Sequence, residues 1–282
     1  MVFHKRKRVY LLCFLLGQFG VLAPIQAQTY QLTKKLPLNN IIHATFDRKK
    51  NIYVADADGN VIQFDSTAKK VNIYSPEKLG VITSMVTSQT LQLFLFYQDF
   101  QEYVILDRFL NEITRQSIAL PTVGYVKQAA LASDNNVWIF DEGDMSIKKY
   151  NPKINKIIAH TSLDLSLGVK LNEVIHLQEH ENLLYLFEKT TGIWVFDNLG
   201  SFKKRLPYLN LQSFSLARSY LYWWKNKKLT KINIYNKQEQ PVSITLDNVP
   251  KVQKSRLLTP FITSSLLFIV TSSQLLIYQK NK

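Results

Sequence analysis

The chain has 282 residues, of which 46% are hydrophobic and 20% charged, and it carries a formal net charge of +14. That apolar content excludes an intrinsically disordered protein and suffices for a sizeable core. A single cysteine, Cys13, excludes an internal disulfide framework and a cysteine metal site.

Residues 1–27 read as an export signal. Lys5, Arg6, Lys7 and Arg8 form a positive n-region, Val9 to Leu22 is apolar, and Ile25-Gln26-Ala27 offers a small residue for cleavage before Gln28. The apolar run falls short of the ~20 residues a spanning helix needs, and Pro24 follows it closely. Cys13 lies too early in the run for a lipid anchor. The expected address is the periplasm or the exterior, with no transmembrane span after cleavage. Nucleic acid is not an expected partner there. Another envelope protein is, and a basic chain can also meet an anionic surface.

From Tyr30 onward the chain is a succession of short β-branched and aromatic runs separated by turn residues, with no sustained helical period. Faint first runs lie at Ile41 to Phe46, Ile82 to Thr87, Val126 to Ala132, Glu173 to Leu177, Gln212 to Leu216 and Leu257 to Ile262. Strong second runs follow at Ile52 to Val54, Leu93 to Phe96, Val137 to Phe140, Leu184 to Phe187, Leu221 to Trp224 and Leu267 to Val270. Third runs end at Phe64, Leu106, Tyr150, Phe196, Tyr235 and Tyr278, spaced by 42, 44, 46, 39 and 43 residues. Such spacing is that of a four-stranded propeller blade.

After five of these endpoints an Asp or Asn suits a turn, because its side chain can bond the backbone ahead. An outer run then follows, as in Val71 to Tyr74 or Val242 to Leu246. The sixth unit stops at Tyr278 without an outer run, and Tyr30 to Leu36 supplies a spare one that would close the ring and remove its open edges. The expected fold is all-β, a single six-bladed β-propeller over 28–282. Its blades fall at about 39–76, 79–120, 122–165, 170–209, 211–249, and 251–282 plus 30–38.

Blade one carries the clearest resemblance. Ile52-Tyr53-Val54-Ala55-Asp56-Ala57-Asp58-Gly59-Asn60-Val61-Ile62-Gln63-Phe64-Asp65 resembles the strand–turn–strand unit of NHL-type and related six-bladed propellers of exported bacterial proteins. The resemblance implies a fold, not an activity. The Trp-Asp mark of WD40 repeats and the paired glycine of kelch repeats do not occur in it.

Candidate chemistry is sparse. His176-Leu177-Gln178-Glu179-His180 has the spacing of one zinc-protease motif, which works on a helix. On a strand, residues four apart stand roughly 13 Å apart, so these read as turn and surface residues. Asp56-Ala57-Asp58-Gly59-Asn60 has too few oxygens for a calcium loop and reads as a hairpin, as does Asp141-Glu142-Gly143-Asp144. No nucleophile elbow, phosphate loop or dinucleotide fingerprint occurs, and no cofactor is expected. Trp223 and Trp224 point to opposite faces of their blade and read as core.

The hairpins between second and third strands should open on one face of the ring. Asp56, Asp58, Asp99, Glu102, Asp141, Glu142, Asp144 and Glu188 would make one side of that face acidic. Lys225, Lys227 and Lys228, with Lys251, Lys254 and Arg256 from the next connection, would make the other side basic. Such a face can steer a partner. Lys69, Lys70, Lys148, Lys149, Lys153, Lys156, Lys203, Lys204 and Arg205 fall near outer strands, where charge blunts edge pairing. The expected function is a non-enzymatic interaction or scaffold module of the envelope. The alternatives are a calcium-dependent hydrolase or lactonase and a binder of envelope polysaccharide. The hydrolase would need carboxylate and amide ligands pointing into the channel, where the inner strands offer His43, Asp47 and Glu173, too few for such a site.

Overall fold

The computed structural model describes residues 28–281 apart from 89–90, 119–120, 122, 165–170, 212–213, 226–227, 237–238, 242–243, 247–256 and 264. The proposed signal at 1–27 and Lys227, Lys251, Lys254 and Arg256 lie outside the described residues.

Strand β1 (Gln28–Pro37) precedes the first blade, β2 (Ile41–Phe46), β3 (Ile52–Asp56), β4 (Val61–Phe64) and β5 (Lys70–Tyr74). Blade two is β6 (Ser84–Thr87), β7 (Leu93–Tyr97), β8 (Glu102–Leu106) and β9 (Glu112–Ser117). Blade three is β10 (Val126–Leu131), β11 (Val137–Asp141), β12 (Ser146–Asn151) and β13 (Lys156–Ser162). Blade four is β14 (Val174–His180), β15 (Leu183–Glu188), β16 (Gly192–Asp197) and β17 (Phe202–Leu206). Blade five is β18 (Phe214–Ala217), β19 (Tyr220–Lys225), β20 (Lys228–Asn233) and β21 (Glu239–Pro241). After β22 (Ile244–Leu246) come β23 (Leu257–Ile262), β24 (Leu266–Thr271) and β25 (Gln274–Lys280). Each blade is an antiparallel meander running from the inner strand outward, and the six sheets form a six-bladed β-propeller.

The sixth sheet has the order β22-β1-β25-β24-β23. Strand β1 runs antiparallel to β25, from Tyr30 opposite Lys280 to Pro37 opposite Gln274, with a register shift between Leu32 and Lys34. Strand β22 then pairs with β1 in parallel, Gln28 opposite Ile244. The sequence reading gives Val242 to Leu246 to blade five; the outer strand there is instead β21, which ends at Pro241. Proline has no N–H to donate to a ladder, so the chain leaves blade five at that residue.

Second strands are packed on both faces, which is why they read as continuous apolar runs. Every residue of β7 and β11 is buried. Outer strands face solvent on one side and alternate, as Val71 and Ile73 stand exposed while Tyr74 is buried. The core is divided among the blade interfaces. Trp223 packs with Tyr185, Phe187 and Leu206 on one side of blade five, and Trp224 packs with Tyr30 and Leu267 on the other. Ala129, Ala130, Ala132, Ser84 and Ser215, the small inner-strand residues, are all buried.

The turns follow one plan. Asp65 accepts from the N–H groups of Thr67 (2.8 Å) and Lys69 (3.0 Å), Asp107 from Phe109 and Asn111 (both 2.8 Å), and Asp197 from Leu199 (3.0 Å) and Ser201 (2.8 Å). Asn151 accepts from Lys153 N–H and Asn233 from Tyr235 N–H. The residue after the third run thus binds the backbone ahead in all five blades. In blade five that residue is Asn233 rather than Asn236: Tyr235 is a half-exposed turn residue, not the end of the strand. The Asp-anchored turns close through a residue in the left-handed region, glycine at Gly59 (φ 87°) and Gly200 (φ 85°), but Lys50 (φ 69°), Ala68 (φ 60°) and Leu110 (φ 65°) elsewhere. Alanine at Gly59 would also bring its Cβ to 2.6 Å from the Gly80 carbonyl oxygen.

Candidate functional site

Antiparallel order places two kinds of connection on one face of the ring: the hairpins from second to third strand and the links from one blade's outer strand to the next blade's inner strand. We call this the upper face. Hydrogen bonds join the two kinds directly, from Ala57 N–H to the Asn40 carbonyl, Glu142 N–H to Tyr125 and Asn210 N–H to Lys189.

All described residues of the expected acidic arc lie on this face, but most are engaged. Asp56 accepts from the N–H groups of Asp58 (3.0 Å) and Asn60 (2.9 Å) and from the Asn60 side chain (2.9 Å). Asp141 is fully buried and accepts from Gly124 N–H (2.6 Å), Gly143 N–H (2.9 Å) and Lys148 Nζ (2.6 Å). Glu188, 2% exposed, accepts from the N–H groups of Glu173 (3.0 Å), Thr190 (2.9 Å) and Thr191 (2.5 Å) and from both threonine hydroxyls. These three residues end their second strands, and their carboxylates build the hairpin that follows. Burial works against the Glu188 charge, but the Thr191 hydroxyl and backbone donors prevail and hold its carboxyl below the usual range.

Three more carboxylates are in ion pairs: Glu102 with Arg115 (2.5 Å), Glu142 with Lys127 (3.5 Å) and Asp144 with Lys148 (2.6 Å). Asp58 and Asp99 remain exposed at their tips. Lys225 and Lys228 are backbone register partners where β19 turns into β20. Lys148 and Lys149, expected near the edge, are instead buried on the third strand of blade three. Lys148 sits between Asp141 and Asp144, and Lys149 pairs with Asp134 at 2.7 Å over the Trp138 ring. Their aliphatic stems pack on the blade faces while the charged ends find carboxylates.

The upper face also carries apolar residues that the sequence reading did not select. Leu79 is 67% exposed and Val81 51%, both in the link from blade one to blade two. Tyr125 and Leu209 are exposed in the links into blades three and five, and Ile175 at the start of β14 in blade four. Large apolar residues inside connectors that also hold turn formers, such as Leu79-Gly80-Val81 and Leu209-Asn210, were the available signal. Beside them Pro207, Tyr208, Leu209, Asn210, Leu211, Trp223 and Trp224 line a cleft of about 270 Å³.

The channel wall is built by the inner strands. One position recurs in them, opposite the next-to-last residue of each second strand, and we call it the belt: His43, Ser84, Gln128, His176 and Thr259. Blade five's counterpart lies outside the described residues. In blades one, three, four and six a register shift directly precedes this residue, a bulge that re-aims its side chain. His43 hydrogen-bonds the Ile82 carbonyl of blade two (2.7 Å), and Thr259 donates to the Ala44 carbonyl of blade one (3.1 Å). His176 lies edge-on to Phe187 and Phe214, 5.5 and 5.4 Å between centroids, and its Nε2 meets Gln178 Oε1 at 3.2 Å. Burial, with the His43 imidazole as a smaller influence, lowers its pKa to about 4, so the ring is neutral near pH 7.

The zinc-like spacing does not assemble a site. All five residues lie on β14; Glu179 accepts from Ser133 N–H and Trp138 Nε1, and His180 bonds the Arg218 carbonyl. The candidate hydrolase residues are separate as well. His43 is on the belt, Asp47 anchors the opposite-face turn with Asn51 and Tyr53, and Glu173 pairs with Lys189 at 2.7 Å. Among the described residues no group of three His, Cys, Asp or Glu is placed to hold a metal. No described helix is long and apolar enough to cross a membrane.

Neither a protein-family model nor a curated protein matches the sequence. Solved structures do. The chain is similar to the Swd1 (Cps50) β-propeller domain of Myceliophteria thermophila, with a TM-score of 0.61 and 11% identity over 89% of this chain and 99% of that one. It is also similar to a streptogramin B lyase, with a TM-score of 0.53 and 11% identity over 86% of this chain and 79% of that one. A third similar structure is a catalytically inactive virginiamycin B lyase from Staphylococcus aureus with quinupristin, with a TM-score of 0.53 and 10% identity over 91% and 96%. Likeness at such identity shows the fold.

Proposed function

We propose that the chain is a non-enzymatic interaction module of the periplasm or cell envelope that docks another envelope protein on its upper face. One observation carries the reading: Leu79, Val81, Tyr125 and Leu209 stand exposed on links entering blades two, three and five, and Ile175 at the start of the inner strand of blade four, on the same face as the charged hairpin tips. Apolar residues set among polar ones are the usual make-up of a protein-binding surface. Asp58 and Asp99 would set the approach of a partner more than its affinity. The calcium-dependent reading needs several oxygen ligands converging on the channel, whereas the described belt residues are His, Ser, Gln and Thr.

Site-specific photocrosslinking in the native host tests it. A benzophenone side chain placed at Tyr125 is expected to capture one reproducible envelope protein. The same group at Tyr235, exposed on the opposite face, is expected not to. Capture from Tyr235 alone would reject the upper face, and recovery of the protein alone from both positions would reject the docking role. Asp58→Lys with Asp99→Lys should slow association several-fold at low salt and have little effect at high salt.

A further inference from the structure

The turns from third to outer strand leave the ring on the face opposite the upper one, the lower face, at its outer rim. In each, the anchoring Asp or Asn binds the N–H of a residue two or three ahead, and that residue stands at the tip. In blades two to five the tip is apolar or aromatic: Phe109 is 54% exposed, Ile154 57%, Leu199 72% and Tyr235 51%. Blade one has Thr67 in that place. Blades two, three and four each add a second exposed apolar residue near the start of the outer strand: Ile113, Ile158 and Phe202. Scattered exposed apolar residues need no explanation, but a row repeated in neighbouring blades marks an interaction surface. Equivalent turns of a propeller stand at one height on the ring, so these tips lie along one edge.

The charge along this edge is one-sided. Its described carboxylates are engaged. Asp107 holds the backbone of its turn, Asp197 does the same and pairs with Lys203 at 3.0 Å, and Glu112 pairs with Arg115 at 2.8 Å. Asp134 pairs with Lys149, and Glu181 accepts from the Tyr235 hydroxyl at 2.6 Å. Arg108, Lys153 and Lys156, by contrast, are exposed and make no ion pair among the described residues. Arg108 lies over the Phe109 ring, 4.6 Å from its centroid, and Lys153 adjoins Ile154. The blade-three turn is anchored by Asn151 rather than Asp, so its tip carries cations and no acid.

We propose that the lower rim of blades two to five rests on an anionic lipid bilayer. Phe109, Ile154, Leu199 and Tyr235 enter the boundary between headgroups and acyl chains, and Arg108, Lys153 and Lys156 meet the lipid phosphates. Apolar area removed from water and attraction to anionic headgroups are the two sources of interfacial binding, and each basic residue near such a surface raises affinity about fivefold. A polysaccharide would neutralise the cations but leave the apolar pairs in water. A row of separate tips at one height matches a flat, deformable surface. The residues involved are distinct from those of the upper face, which stays open to the aqueous side, so the inference holds whether or not a protein docks there.

Co-sedimentation with vesicles tests it, using the chain from Gln28 onward, which contains every strand of the ring. Retention on vesicles of phosphatidylglycerol and phosphatidylcholine, with little on phosphatidylcholine alone at the same salt, is the expected result. Phe109→Ser, Ile154→Ser and Leu199→Ser together should weaken binding about tenfold or more. Arg108→Gln, Lys153→Gln and Lys156→Gln together should weaken it about a hundredfold. Both sets lie on exposed side chains, so thermal unfolding should stay as in the wild type. Leu79→Ser with Val81→Ser, on the upper face, should leave vesicle binding unchanged. Absence of retention, equal retention on neutral vesicles, or either triple variant binding as the wild type does would overturn the proposal. An unaffected serine variant beside a weakened glutamine one would mean that the cations meet polyanions in general, polysaccharide included, without an apolar contact. Loss of binding in the Leu79 and Val81 variant would put the upper face on the membrane and overturn it as well.

Discussion

The hairpins of blades one and three look alike in sequence, Asp56-Ala57-Asp58-Gly59 and Asp141-Glu142-Gly143-Asp144, but they are anchored differently. Asp56 is satisfied within its own turn, by donors two and four residues ahead. Asp141 reaches back 17 residues to Gly124 N–H in the link entering its blade and across to Lys148 on the next strand. Lys148 is what separates them. It occupies the place that Ile62 takes in blade one, opposite Ile139 as Ile62 is opposite Val54. An acidic hairpin end is thus a local cap where the facing strand is apolar, and part of a tertiary ion-pair network where that strand carries a buried cation.

The comparison predicts its largest effect at blade three. Asp141→Ala takes from buried Lys148 its fully buried carboxylate, while Asp144 is half-exposed, and breaking a buried pair from one side costs about 3 kcal/mol or more. Urea unfolding should show that loss. The double variant Asp141→Leu with Lys148→Met should recover much of it, since an apolar pair of similar volume is often no less stable. If the single variant unfolds at the wild-type urea midpoint, the two hairpins are energetically the same and the distinction fails.

Glu188 in blade four is the intermediate case, with donors both in its own turn and at Glu173 across the link. Its folded carboxyl is held below the usual range, so the folded state favours the charged form. The stabilisation is therefore complete above the ordinary glutamate pKa and is lost as pH falls through the lowered folded value. Glu188→Gln should cost about 2 kcal/mol at neutral pH, because an amide N–H₂ must then face backbone N–H donors. The gap from wild type should narrow in acid, measured as urea midpoints across pH. A gap that stays constant would mean that Glu188 acts by packing alone.

These differences explain what could be read in the sequence. The turn role of the Asp or Asn after each third run was legible at Asp65, Asp107, Asn151 and Asp197, because such a cap is made with the next few backbone groups. It was misplaced in blade five only because Tyr235 looks like a strand end. The burial of Lys148 and Lys149 was not legible, since their carboxylates lie on neighbouring strands and in the turn at Asp134. The exit of the chain from blade five was marked by Pro241, but the parallel pairing of β22 with β1 joins segments more than 200 residues apart and leaves no local trace. On the candidate face, the charged tips could be read from composition, whereas the exposed Leu79, Tyr125 and Leu209 could not be told from core residues until the links were placed.

Asp56 sets the lower end of the scale. Asp56→Ala removes a side-chain cap from a part-exposed turn, an effect of about 1 kcal/mol, because water can replace part of what the carboxylate supplied. Asp56→Asn should cost less still, since an amide oxygen can accept from Asp58 and Asn60 N–H as the carboxylate oxygen does. Asparagine at Asp141 should nearly match alanine there, because it cannot neutralise Lys148. The ratio of the asparagine to the alanine penalty, from urea midpoints of the four variants, therefore separates geometry from charge. A low ratio at blade one and a ratio near unity at blade three is the expected pattern. Equal ratios would show that hydrogen-bond geometry governs both hairpins and that the buried lysine contributes little to the difference between them.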